Sequence, residues 1–222
     1  MRILVLLGAP GAGKGTQAEI LARHLGLPRV ATGDLFRAAV RAGTPLGIEA
    51  RAYMERGELV PDDITIRMLL QRLAAPDASR GAILDGFPRN PAQARALDES
   101  LRREGSRVEY ALHIEVPQDE LLARLSGRWL CQAHGHTYHD TAYPPRTPGI
   151  CDVDGSPLVQ RDDDRTEVVA ARLENQLGVL EEVVEYYRPL GVLRAIDGRR
   201  PIAAVTADIL DTIEHRPYWR AS

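Results

Sequence analysis

Hydrophobic and polar positions alternate between two kinds of pattern along most of this chain. An unbroken apolar run, Ile3–Leu7, gives way abruptly to small residues, "GAPGAGKGT". A short continuous run of this kind predicts a strand buried on both faces of a parallel sheet. In "GTQAEILARHLG" the apolar positions Ala18, Leu21, Ala22 and Leu25 recur at helical spacing, with Gly26 as a stop. A second short strand is expected over Pro28–Ala31, followed by a helix with Thr32 as its cap and Asp34 in its first turn. From Gly43 to Leu73, two or three helices are expected, broken by Gly43, Gly47 and Gly57. The strand-then-turn design repeats at Ala82–Leu84, ended by Asp85, and a helix containing Gln93 follows. "VEYALHIEVP" and "GVLRAIDG" supply a fourth and a fifth strand, with a long amphipathic helix, Thr166–Tyr187, before the last. Five strands alternating with helices predict an α/β fold, a doubly wound parallel sheet.

One stretch departs from this rhythm. Gly127–Asp164 is rich in Pro, Gly, His and Asp, and its apolar residues lack a helical period. "HTYHD", "YPPRTPG" and "DVDGSPLVQRDDD" predict short antiparallel hairpins, a small lobe inserted into the α/β core.

Composition adds one sharp observation. The chain has 222 residues and a formal net charge of −3, which does not favour general nucleic-acid binding. Neither a signal peptide nor a membrane span is expected from its apolar runs, and two cysteines fit a reducing cytosol. Its basic residues, however, are 27 arginines and a single lysine, Lys14. Arginine is a broad planar fork, whereas lysine is a compact point charge on a thin stem. A position that keeps lysine in such a chain is one that needs a small cation in a narrow space.

Lys14 lies in Gly8-x4-Gly13-Lys14, between the first strand and the first helix, the setting a phosphate loop requires. Backbone N–H groups of Gly11, Ala12, Gly13, Lys14, Gly15 and Thr16 are placed to face phosphate oxygens at a helix N-terminus. The pattern departs from the usual one at Gly15, where Ser or Thr is common; Thr16 follows one position later. Asp85 ends a buried strand, the place of a carboxylate that holds Mg²⁺ or its waters. Gly8, Thr32 and Asp85 all fall at carboxyl ends of predicted strands, where ligands bind in open α/β sheets.

"GAPGAGKGTQ", "TGDLFR", "DGFPRN", "GRWLC…HTYH" and "QRDDD" occur in that order over the whole chain. In these motifs it resembles the long-form bacterial adenylate kinases. The resemblance implies a P-loop core over 1–31, 61–126 and 165–222, a monophosphate-binding segment over 32–60 and a lid over 127–164. It implies reversible phosphoryl transfer from MgATP to AMP, giving two ADP, by a cytoplasmic monomer with no membrane or nucleic-acid partner. It further implies that Gly11–Thr16, Arg124, Arg128, Thr137, Tyr138 and Arg200 bind ATP. Thr32, Arg37, Glu58, Leu59, Val60, Gly86, Phe87, Pro88, Arg89 and Gln93 would bind AMP, and Arg161 and Arg172 would bridge the transferring phosphate and AMP. Phosphoryl transfer independently calls for cations around spreading negative charge. Lys14, Arg37, Arg89, Arg128, Arg161 and Arg172, with Asp85, are therefore the expected catalytic set. Kinases of the same fold acting on UMP or CMP share "DGFPRN". A guanine-reading Asn-Lys-x-Asp cannot exist in a chain whose one lysine is Lys14.

Cys131 and Cys151 each have a ligand type three residues on, His134 and Asp154. Two such pairs match a structural Zn²⁺ site, and a small lobe with little apolar core gains most from one. Relatives in the resembled family carry cysteine at three or four of these positions. A disulfide, unligated thiols, or ligation through His136 or His139 compete with that set.

Overall fold

The computed structural model describes residues 1–55, 60–141, 143–160 and 166–215. In chain order the elements are β1 (Arg2–Leu7), α1 (Lys14–Leu25), β2 (Arg29–Ala31), α2 (Thr32–Arg41), α3 (Pro45–Glu55), α4 (Asp62–Leu73), β3 (Gly81–Asp85) and α5 (Pro91–Arg103). There follow β4 (Arg107–Glu115), α6 (Gln118–Ser126), β5 (Arg128–Cys131), β6 (Thr137–His139), β7 (Leu158–Val159), α7 (Thr166–Tyr187), β8 (Leu193–Asp197) and α8 (Ile202–His215). The chain divides into two compact units. One comprises Met1–Gly8, Gly13–Glu115 and Val179–Ser222; the other comprises Ala9–Ala12 and Val116–Gly178.

The first unit is built on a five-stranded parallel sheet of order β2-β3-β1-β4-β8. The continuous apolar run in β1 has the reason expected of it. Ile3, Val5 and Leu7 face a core shared with Leu69 and Leu73 of α4, Leu97 and Leu101 of α5, and Val183 and Tyr187 of α7. Leu4 and Leu6 point to the opposite face by strand alternation and are equally buried. With both faces covered, the sheet is the doubly wound α/β arrangement that the strand–helix rhythm implies.

Strand register aligns the ends that matter. Asp85 pairs with Ala31 on one side and with Leu6 on the other, so the exits of β1, β2 and β3 lie side by side. On the far side of β1, Leu7 pairs with His113 of β4.

Two local expectations are corrected. Thr32 does not cap α2; it is the first helical residue, the cap position belongs to Ala31, and no side chain caps that end. The Thr32 hydroxyl instead donates to the carbonyl oxygen of Gly86, 3.2 Å away. Gly47 does not break a helix but lies inside α3, where a Cβ atom would run into the carbonyl group of Ala39 in α2. It is a close-packing glycine, and Gly57 lies outside the described residues.

The second unit carries a three-stranded antiparallel sheet of order β6-β5-β7. Its small core is Cys131, Tyr138, Cys151 and Leu158. So little apolar surface cannot by itself hold a lobe of this size.

Candidate active site

The loop after β1 takes its shape from glycine. Gly8, Gly11 and Gly13 all have positive φ, at 146°, 83° and 97°. At Gly11 a Cβ would also approach Leu125 Cγ to 3.0 Å. Gly13 stands at the N-cap of α1 and Lys14 is its first residue. The Lys14 ammonium turns back and donates to the Gly8 carbonyl oxygen at 2.7 Å. A compact cation is thus held over the loop from which it grows, at a helix N-terminus, an end that favours anions.

Beside it, Asp85 is mostly buried and accepts from the guanidinium of Arg29 through Nε at 3.1 Å and Nη2 at 2.7 Å. Arg29 also lies 3.6 Å from Asp34. Gly15 follows the lysine where a hydroxyl residue is common, and a Cβ there would lie 3.5 Å from both Arg29 Nη2 and Asp85 Oδ2. The carboxylate at the end of β3 is therefore fixed by a fork from the start of β2. Sequence reading did not single out Arg29. Its partner is 56 residues away, and only the pairing of β2 with β3 brings the two together.

The turn after β3 forms a second group. Gly86 (φ 76°) offers its carbonyl oxygen to Thr32 and to Arg89 Nε, the latter at 2.9 Å. The Phe87–Pro88 peptide is cis, and Phe87 is fully buried. Gln93 is buried with its amide committed at both ends. Its oxygen accepts from the Arg89 amide at 2.8 Å, and its nitrogen donates to Asp62 at 2.6 Å. Asn90 caps α5 by accepting from the Gln93 amide at 2.9 Å, and its own Nδ2 donates to the other oxygen of Asp62 at 2.8 Å. Asp62 is a second residue that sequence reading missed. An acid in the first turn of a helix is ordinary; its link to Asn90 and Gln93 is a long-range fact. Arg37 pairs with Asp34 on α2, and Arg200 pairs with Asp208 on α8. Val60 precedes α4 and is half-buried.

In the second unit, Arg124 pairs with Glu120 along α6 at 2.6 Å. Arg128 opens β5, and Thr137 is exposed at the start of β6. Tyr138 is different: its ring is buried in the small core. Its hydroxyl accepts from the Asp152 amide at 2.7 Å and lies 3.4 Å from Cys151 Sγ, which pushes the phenol up to about 12. Glu58, Leu59 and Arg161 lie outside the described residues, and Arg172 falls on α7 with its side chain outside the described set.

The cysteines also lie in this unit. Both are buried and free of a disulfide. Ligand atoms of Cys131, His136, Cys151 and Asp154 all lie within 4.8 Å of one another. Two soft thiols, an imidazole and a carboxylate in one cluster are a chemically sound donor set for zinc. His134, the histidine at the expected spacing, reaches Asp154 Oδ2 at 2.7 Å but is not in that group. The Ser156 amide, Cys131 and His134 together hold the Asp154 carboxyl well below the usual carboxylate range, so it is ionised as a ligand must be.

Comparison with known proteins agrees with this geometry. A family model described as adenylate kinase matches residues 6–192. The adenylate kinase of Bacillus subtilis (strain 168) is 48% identical over 210 residues, covering 95% of this chain and 97% of that protein. The adenylate kinase of Staphylococcus aureus (strain Mu50) is 44% identical over 212 residues, covering 96% and 99%. That of Geobacillus sp. (strain WCH70) is 47% identical over 210 residues, covering 95% and 97%. A likeness this even along both lengths reaches well past the phosphate loop, and the chain belongs to the adenylate kinase family.

Proposed function

We propose that this chain is an adenylate kinase, transferring the terminal phosphoryl group of MgATP to AMP and giving two ADP, reversibly. The observation that carries the reading is the juxtaposition of Lys14 over its glycine loop with Asp85 at the neighbouring strand end. The near-full-length relatives supply the acceptor.

In this reading the protein does little covalent chemistry. It positions two nucleotides and surrounds the shifting charge. Backbone N–H groups of Gly11–Thr16 and the Lys14 ammonium hold the donor's phosphates, and Asp85 takes the waters of the substrate's Mg²⁺. Arg124, Arg128, Thr137, Tyr138 and Arg200 complete the ATP side. Thr32, Arg37, Glu58, Leu59, Val60, the Gly86–Arg89 turn and Gln93 form the AMP side, with Arg161 and Arg172 at the transferring group. The division into a core over 1–31, 61–126 and 165–222, a monophosphate segment over 32–60 and a lid over 127–164 belongs to the same proposal. So do a monomeric state and a cytoplasmic location. Zinc in the lid lobe would be structural, since four protein ligands leave no position open for substrate.

The test offers MgATP with AMP, GMP, UMP and CMP in turn and quantifies the diphosphates by chromatography. Rapid formation of ADP with AMP alone is expected. Preference for another monophosphate would overturn the roles given to Thr32 and Gln93.

A further inference from the structure

We infer that His136, and not the His134 of the Cys-x2-His spacing, supplies the imidazole ligand of the lid metal, with His134 acting as the hydrogen-bond partner that orients Asp154. The inference rests on the reading that this lobe binds zinc.

The two cysteine turns are built alike. In the first, the Cys131 amide donates to the His136 carbonyl at 2.8 Å and the Gly135 amide donates to the Cys131 carbonyl at 2.9 Å. In the second, the Cys151 amide donates to the Ser156 carbonyl at 2.8 Å and the Gly155 amide to the Cys151 carbonyl at 2.9 Å. Both glycines have φ of 73°. Equivalent places three residues after each cysteine are thus occupied by His134 and Asp154. Side-chain length does not separate them, since an imidazole Nδ1 and a carboxylate oxygen both stand two bonds beyond Cβ. What separates them is placement: Asp154 belongs to the cluster of ligand atoms and His134 lies against Asp154 instead.

Distances show where it lands. Zinc bonds of about 2.0–2.3 Å at tetrahedral angles place two ligand atoms about 3.3–3.8 Å apart. His136 Nδ1 lies 3.4 Å from Asp154 Oδ2 and 3.3 Å from Cys151 Sγ, two edges near that length. Cys131 Sγ lies 3.1 Å from Asp154 Oδ2, somewhat shorter than such an edge, and 3.4 Å from Oδ1. His134 Nδ1 lies 2.7 Å from the same Oδ2. That is the length of a hydrogen bond, too short for two atoms sharing one zinc. Exposure agrees: 67% of the His134 side chain is open to solvent, against 36% for His136. The backbone of His134 still serves the site, since its amide donates to Cys131 Sγ at 3.4 Å. An N–H on Nδ1 of His134 then fixes the carboxylate that ligates, the arrangement found around many metal centres.

The experiment purifies the full chain, His134→Gln and His136→Gln without added zinc. It measures bound metal by mass spectrometry and thiol reactivity with a disulfide reagent. About one equivalent of zinc is expected in the unsubstituted protein. His136→Gln should hold less than about a tenth of an equivalent, with both thiols reactive. His134→Gln should keep its zinc and lose it to a competing chelator about 10–100-fold more readily. Loss of zinc in His134→Gln, or its retention in His136→Gln, would overturn the assignment while leaving the metal reading intact. Absence of zinc in the unsubstituted protein, with no thiolate-to-metal absorption when Co²⁺ is added, would instead remove the metal reading itself. Should a variant fail to fold, the imidazole ¹⁵N shifts of the zinc-loaded unsubstituted protein decide which ring is coordinated.

Discussion

The bond from the Lys14 ammonium to the Gly8 carbonyl shows at single-residue scale why one lysine survives among 27 arginines. The loop encloses its own cation at 2.7 Å, and a guanidinium, longer and planar, does not fit that fold-back. Lys14→Arg should therefore lower kcat/KM by about 10²-fold or more, the scale of losing one donor to a developing charge, with Tm nearly unchanged. Steady-state kinetics and a thermal melt on the same preparation check it; near-normal turnover would refute it. Lys14 and Asp85 were legible because each follows an apolar run, Asp85 directly and Lys14 through its glycine loop, and the end of such a run in an open α/β sheet is where ligands bind. Arg29 and Asp62 were not. Nothing near them in the chain announces Asp85 at 56 residues' distance or Gln93 at 31. His136 stood among open alternatives because spacing counts residues, whereas ligation depends on where the fold places each ligand atom.

Among the elements, strands and helices followed their periods closely, since burial on two faces leaves a strand few polar positions. The glycines were harder to read. Gly43 and Gly47 look the same in a sequence, yet Gly43 has φ of 62° after α2 while Gly47 is helical and touches α2 through its missing side chain. Gly47→Ala is a direct test of that contact. The substitution gains about 1 kcal/mol of helix propensity and forces a methyl group against the backbone of Ala39 and Val40. Backbone yields less readily than a side chain, so a net loss of about 1–3 kcal/mol is expected. That corresponds to a fall in Tm of several degrees for a chain of this size, read by calorimetry. Thr32 carries a similar lesson: a threonine before a helix usually caps it, but here its hydroxyl is taken by Gly86 across the sheet edge.

For the molecule as a whole, stability should depend on pH through a histidine no motif contains. His113 lies on β4 in register with Leu7, mostly buried, with Nδ1 3.3 Å from Glu115. Burial pushes its pKa below the ordinary imidazole value; Glu115 and Glu181 oppose the shift, and Arg188 and Lys14 add to it. The unfolded chain then binds the proton more readily than the folded one. Stability from this group is fully present above the unfolded value, about 6.5, and is lost as pH falls through the lower folded value. Melts at pH 7.5 and 5.5 should show a decline that is smaller in His113→Gln; an equal decline in both would sink the idea. The lone lysine has a last consequence, in protein chemistry. For an endoprotease specific to lysine, these 222 residues contain one scissile bond, Lys14–Gly15, in the first turn of α1. The chain thus carries a built-in cut site at its most functional point. The rate of that single cut times the openings, local or global, that expose the phosphate loop.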